Sequence, residues 1–290
     1  MSTLSLRVAG VPEHFNMPWQ LALERNAFAA AGIDVRWTTV SEGTGRMCRM
    51  LRDGEVDMAV LVTEGAVRDI LQGNPSRIVS GYVSSPLVWG VHVGAGSTLY
   101  KPEDLAHVPF AISRPNSGSH LVALAYAQAH GWTLQEEDLV VVNDMNGALD
   151  RMRDGTPLAF LWEKFTTSAQ VRRGLLRRID EYRPPWPCFV LVARAAVLDE
   201  HPNEVRSVVR MVQEEARTLM RRKRAPELVA ERYGMTLEDA RAWFRDVRWN
   251  TTIGVDAKAL QAVADKLLNV GAITEGPELL EVGPVLMGGA

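Results

Sequence analysis

Phe110-Ala111-Ile112-Ser113-Arg114-Pro115-Asn116-Ser117-Gly118-Ser119-His120 runs directly into a helical pattern from Leu121 to His130. An apolar strand enters a Pro/Asn/Gly/Ser turn. The helix after it starts with small hydroxyl side chains and with backbone N–H groups that have no partner inside the helix. With the helix dipole behind them, those donors suit an anionic or hydrogen-bond-accepting group, and they equally suit an ordinary N-cap. What decides the fold is that this unit occurs twice.

Upstream of it, the first half of the chain shows the same order. Strand Leu4 to Ala9 leads through His14-Phe15-Asn16-Met17 into a helix from about Pro18 that Gly32 closes, and strand Ile33 to Val40 follows. Ser41-Glu42-Gly43-Thr44-Gly45 opens a helix ending Arg52-Asp53-Gly54. Strand Asp57 to Val62 then runs into Thr63-Glu64-Gly65, a helix to Gln72-Gly73, and a strand Arg77 to Val83. Downstream, strand Val108 to Ser113 leads into a helix closed by Gly131, and strand Leu139 to Asn143 leads into one ending Arg153-Asp154-Gly155. Strand Leu158 to Leu161 enters Trp162-Glu163 where the first half has Thr63-Glu64. Strands alternating with helices of this length predict βαβ units with parallel pairing, and the repeat predicts two lobes of like construction.

Pro86-Leu87-Val88-Trp89-Gly90-Val91-His92-Val93 and Pro187-Cys188-Phe189-Val190-Leu191-Val192 are Pro-headed, β-rich runs read here as two extended crossings between the lobes. The first lobe is then discontinuous, residues 1–88 plus 190–290, with the second at 89–189. In the tail, Val205, Val208, Val209, Val212, Ala216, Leu219 and Met220 share one helical face, with Pro202 near the helix start. Shorter helices are expected around Pro226 to Tyr233, Leu237 to Phe244 and Asp256 to Leu268.

The 290 residues are 47% hydrophobic with a net charge of −3, a balance that leaves no electrostatic footprint for nucleic acid or an anionic membrane. The one basic run, Met220-Arg221-Arg222-Lys223-Arg224, falls at a predicted helix end, where cations suit the dipole. Cys48 and Cys188 lie far apart with no C-x-x-C, so neither a disulfide framework nor a zinc site is indicated. Apolar stretches such as Met58 to Val62 are too short to span a bilayer, and no signal-peptide pattern precedes the first strand. The expected location is therefore the cytoplasm as written, or the periplasm if a leader has been removed.

In open α/β sheets ligands bind beyond the carboxyl ends of the strands, so the loops there are the candidate site. The first lobe offers His14, Phe15, Asn16, Glu42, Gly43, Thr44, Thr63 and Glu64. The second offers Ser117, Gly118, Ser119, Asn146, Trp162 and Glu163, with Trp186 just before the second crossing. Phe15, Trp162 and Trp186 also fit core packing, and Glu64 and Glu163 also fit the first turns of the helices they precede. No G-x-S-x-G, H-E-x-x-H or G-x-x-x-x-G-K-[ST] occurs, and neither Gly43-Thr44-Gly45 nor Gly94-Ala95-Gly96 completes a dinucleotide fingerprint. His14 and His120 have no partners at metal-ligand spacing, so no metal and no cofactor is expected.

Glu42-Gly43-Thr44-Gly45 before a helix, Asp57-Met58-Ala59-Val60 leading to Thr63-Glu64, and Ser117-Gly118-Ser119-His120 carry a family likeness. So does Trp162-Glu163-Lys164-Phe165 with Pro185-Trp186-Pro187-Cys188-Phe189. With these motifs the whole chain resembles the type 2 periplasmic-binding-protein fold, in the branch shared by nitrate/sulfonate/taurine-type solute-binding proteins and thiamine-pyrimidine-synthase-like proteins. The resemblance implies a two-lobed α/β fold that closes on a small ligand in an interlobe cleft, with an ABC permease as a possible partner. The cysteine-rich motif associated with the pyrimidine synthases is absent. Glu42, Glu64, Glu163 and Asp144 set against Arg114 favour a neutral or amine-bearing organic ligand over an oxyanion. The alternative is a cytosolic enzyme on the same scaffold, acting on a thiamine or other cofactor precursor, with His14 or His120 as acid/base groups.

Overall fold

The computed structural model describes residues 4–274. The first half runs β1 (Leu4–Gly10), α1 (Met17–Glu24), β2 (Ile33–Thr39), α2 (Thr44–Arg52), β3 (Met58–Val62), α3 (Thr63–Leu71) and β4 (Ser76–Val83). The second runs β5 (Trp89–Gly94), β6 (Phe110–Ile112), α4 (Gly118–Ala129), β7 (Leu139–Val141), α5 (Met145–Met152), β8 (Ala159–Glu163), α6 (Ser168–Arg172) and β9 (Leu176–Tyr182). Then come β10 (Phe189–Arg194), α7 (Ala195–Glu200), α8 (Pro202–Arg221), α9 (Ala225–Tyr233), α10 (Leu237–Asp246) and α11 (Ala257–Asn269). Strand β9 and helices α6 and α7 have no counterpart in the sequence reading. Leu176-Arg177-Arg178-Ile179-Asp180-Glu181-Tyr182 is too charged to signal a strand by composition.

The repeat is realised as two five-stranded sheets of the same design. Their orders are β2-β1-β3-β10-β4 and β7-β6-β8-β5-β9. In each, the first three strands are parallel. The fourth is antiparallel to both neighbours; β10 reaches the first sheet from beyond the second unit, whereas β5 opens the second unit's own run of strands. The two runs expected to be crossings are thus sheet strands, buried along nearly their whole length. The chain passes between the units in the short segments before these strands and again within α11. A continuous apolar run of six residues is what a strand with a neighbour on each side requires.

The described chain groups into two compact α/β units: the residues up to Ser85 with Trp186–Asp265, and Pro86–Pro185 with Lys266–Thr274. The sequence reading placed 190–290 in the first lobe as a block. Residues 266–274 instead group with the second unit, and 1–3 and 275–290 lie outside the described residues.

In the first unit α8 buries Val205, Val208, Val209, Val212, Ala216 and Leu219 and packs along α1, while Met220 is only half-buried. Gln213 interrupts that apolar face without penalty, because its Nε2 donates to Ser80 Oγ at 3.0 Å and to the Thr252 carbonyl at 2.9 Å. The second unit centres on Ala111, Val142, Ala148, Met152, Leu158, Phe160 and Leu176.

Register separates two residues that the sequence aligned. Val8 and Ala9 pair with Met58 and Ala59, and Phe110 and Ala111 with Ala159 and Phe160. Val62 lies opposite Phe189, and Glu163 lies opposite Trp89. Glu163 therefore occupies the position of Val62, the last of its strand, whereas Glu64 sits in the first turn of α3. Each carboxyl lies at the carboxyl end of its own unit's sheet, at a different backbone position.

Candidate functional site

At the carboxyl end of the first sheet, α2 and α3 start side by side. Gly43, at φ +78°, precedes α2 in a conformation that L side chains rarely adopt, and Thr44 Oγ1 accepts from the Val62 N–H at 3.2 Å. Thr63 is fully buried. Its N–H donates to the Cys188 carbonyl at 3.0 Å, and its Oγ1 has no partner among the described residues. Beside it, Glu64 Oε2 accepts from Trp186 Nε1 at 3.0 Å. Burial pushes the Glu64 carboxyl up to about 7, against the lowering effect of that indole donor.

His14, Phe15 and Asn16 form a buried turn ahead of α1. The His14 ring stacks on Phe15 at 4.7 Å and meets Trp243 edge-on at 4.3 Å; Phe15 packs against Phe189 at 5.1 Å. Burial among these rings holds the His14 imidazole down to about 3, so it is neutral at any ordinary pH. That environment packs His14 among aromatic rings and makes it a poor acid/base group, while its Nε2 is buried with no partner among the described residues. Asn16 Nδ2 donates to the Val11 carbonyl at 2.8 Å, while its buried Oδ1 has no partner among the described residues. Glu42 is exposed on the turn before α2.

In the second unit the serines of the opening motif bond to one another. Ser119 Oγ accepts from the Ser113 N–H at 2.9 Å and lies 3.1 Å from Ser113 Oγ and 3.0 Å from Ser117 Oγ. Ser117 caps α4 by accepting from the His120 N–H at 3.3 Å, with Gly118 as the first helical residue. This turn is a cap whose hydroxyls are engaged, the ordinary reading of the motif. His120 Nδ1 accepts from the Asn116 N–H at 2.8 Å, which uses that nitrogen's lone pair. Asn146, in the first turn of α5, is exposed, and the α5 cap is Asp144, whose Oδ1 accepts from the Gly147 N–H at 2.9 Å.

Glu163 is 3% exposed at the end of β8. Its Oε2 accepts from the Thr166 N–H at 2.6 Å and the Thr166 hydroxyl at 2.7 Å, and its Oε1 is buried with no partner among the described residues. Burial pushes this carboxyl also up to about 7, against the Thr166 and Phe165 hydrogen bonds and the nearby Lys164 charge. Trp162, half-buried, stacks on Phe160 at 5.3 Å.

The structure thus brings Thr44, Thr63, Glu64 and Trp186 together in one unit, and Ser117, Gly118 and Ser119 in the other. Glu42 and Asn146 stand apart from these groups. Several contributors escaped the sequence reading. Tyr82 and Trp249 both donate to the Phe15 carbonyl, at 2.8 and 2.9 Å. Thr166 orients Glu163, and His92, held between the Phe160 carbonyl at 3.2 Å and Thr167 Oγ1 at 3.0 Å, is pushed down to about 4 by burial. Trp89 faces Glu163; treating its run as a sheet strand would have exposed that pairing. Among the described residues no cluster of three His, Cys, Asp or Glu could hold a metal ion, and no helix is long and apolar enough to cross a membrane.

Comparison with known proteins agrees with this architecture. Residues 16–217 match the LysR substrate binding domain family. A Candida albicans gene product, described as defining a new family with the generic periplasmic binding protein fold, superposes at a TM-score of 0.88 with 26% identity, covering 95% of this chain and 93% of that one. The alkanesulfonate-binding protein of Xanthomonas axonopodis pv. citri, solved with MOPS bound, superposes at 0.78 with 15% identity over 98% of both chains. The periplasmic nitrate-binding protein of a Synechocystis superposes at 0.69 with 14% identity, over 93% of this chain and 82% of that one. No curated protein matches the sequence.

Proposed function

The chain belongs to the LysR substrate binding domain family, and on that premise we propose that it is a solute-binding protein that closes its two lobes on a small organic ligand, neutral or amine-bearing. The observation that carries this reading is the pair of buried carboxyls, Glu64 and Glu163, one at the carboxyl end of each sheet. Neither has an ion-pair partner among the described residues. A carboxylate in a dehydrated site repels an oxyanion, whereas it accepts well from N–H and ammonium donors. The sulfonate and nitrate binders that share the fold therefore support the binding role and not the ligand class. Delivery to an ABC permease is the further step that this kinship favours.

Titration calorimetry of the purified chain with aminopyrimidines, alkylamines and alkanesulfonates, paired with solution scattering, tests the reading. The expected result is binding of the first or second class with a reduced radius of gyration at saturation. Tight sulfonate binding with no affinity for the others, or an unchanged radius, overturns it.

A second reading, an enzyme acting on a cofactor precursor, is favoured by the same carboxyls, because an acid near 7 suits proton transfer at neutral pH. It predicts turnover that Glu64→Gln or Glu163→Gln abolishes. Recovery of every bound ligand unmodified rejects it.

A further inference from the structure

Two buried polar atoms of the second unit have no hydrogen-bond partner among the described residues although they belong to directly opposed residues. Trp89 and Glu163 are cross-strand partners in the antiparallel β5–β8 pair, so their side chains leave the same face of the sheet. They are 6% and 3% exposed. Trp89 Nε1 and Glu163 Oε1 are the unpartnered atoms. An indole nitrogen can only donate, whereas the Glu163 oxygen accepts when the carboxyl is ionised, the form that a ligand N–H facing it favours. Thr166 engages the other oxygen, Oε2, with two donors, which sets the carboxyl plane and leaves Oε1 buried without a donor among the described residues.

The first unit supplies the contrast. There the same two residue types, Trp186 and Glu64, close on each other at 3.0 Å and satisfy both groups. Trp89 and Glu163 do not close, and buried polar groups without partners are the exception in folded proteins.

We propose that Trp89 Nε1 and Glu163 Oε1 together read an amide-like edge of the ligand, whose N–H donates to Glu163 and whose carbonyl oxygen or ring nitrogen accepts from Trp89. The inference rests on the binding reading above and sharpens its ligand class. A sulfonate presents acceptors only and an alkylammonium donors only, so each would leave one of the two atoms unmade. A primary carboxamide, or a ring with an amino group beside a ring nitrogen, satisfies both at once.

Titration calorimetry of the full chain with benzamide, N,N-dimethylbenzamide, benzylamine and benzenesulfonate provides the test, with circular dichroism melts confirming that each variant folds. Benzamide is expected to bind the wild type and to bind at least about tenfold more weakly to Trp89→Phe, which keeps the ring and loses the donor. Glu163→Gln should cost a similar factor, because the amide places its NH₂ where Oε1 accepted. N,N-dimethylbenzamide, which has no N–H, should bind the wild type about tenfold more weakly than benzamide and be indifferent to Glu163→Gln. No wild-type affinity for benzamide, or equal affinity in all three proteins, overturns the assignment. If benzylamine then still binds with lobe closure in scattering, the binding reading stands without this clamp. Binding of benzenesulfonate alone, or of none of the four, removes both.

Discussion

Trp186 Nε1 donates to Glu64 Oε2 at 3.0 Å, a buried bond between residues 122 positions apart. It ties the segment before β10 to the first turn of α3. The bond satisfies a buried indole N–H and gives a dehydrated carboxyl a side-chain donor.

Trp186→Phe should therefore destabilise the protein by about 1–3 kcal/mol, since it leaves Glu64 buried without that donor. Glu64→Gln keeps an acceptor and should cost less. Urea unfolding of both single variants and the double variant measures the coupling, and strictly additive effects would show that the bond contributes nothing.

Burial moves two pairs of groups in opposite pH windows. Glu64 and Glu163 titrate near 7 when folded against 4.5 ordinarily, so between those values the unfolded chain has lost protons that the folded chain keeps, and stability falls as pH rises. His14 and His92 titrate near 3 and 4 against 6.5, so the unfolded chain binds protons that the folded chain refuses, and stability falls as pH drops below 6.5. The two trends oppose each other from 4.5 to 6.5. The Glu64→Gln/Glu163→Gln variant should lose the first trend, worth roughly 3 kcal/mol per carboxyl at most, and show stability rising with pH across that window. Chemical unfolding at half-unit pH steps checks this; parallel profiles for variant and wild type would refute it.

The Phe15 carbonyl accepts from both Tyr82 Oη and Trp249 Nε1. Tyr82→Phe or Trp249→Phe alone should cost about 1 kcal/mol, because the other donor remains. The double variant should cost more than the sum, as it leaves a buried carbonyl unpaired. Thermal melts of the set decide it.

Gly147 and Gly131 separate two uses of glycine. A Cβ on Gly147 would lie 1.9 Å from the Val142 carbonyl oxygen, so Gly147→Ala must displace the entry to α5 and should cost about 3 kcal/mol. Gly131, at φ +75° with nothing near, should cost about 1 kcal/mol through backbone strain alone. Equal losses in unfolding free energy would contradict the steric account.

The alternation of strands and helices, its duplication, the Ser117 cap and the Val205 to Leu219 stripe were all legible in the sequence. Each is local: strand and helix periods of 2 and 3.6 residues and turn chemistry are written into neighbouring residues. Tertiary structure alone decided that Trp89–Gly94 and Phe189–Arg194 are inserted as the fourth strands of opposite sheets. It also set Glu163 at the strand position of Val62 and opposite Trp89. The same contacts put His14 among aromatic rings and left Glu64 and Glu163 buried. Strand partners and the dehydration of an ionisable group come from residues far along the chain, 74 positions for Trp89 and Glu163 and 127 for Phe189 and Val62, and no local pattern records them.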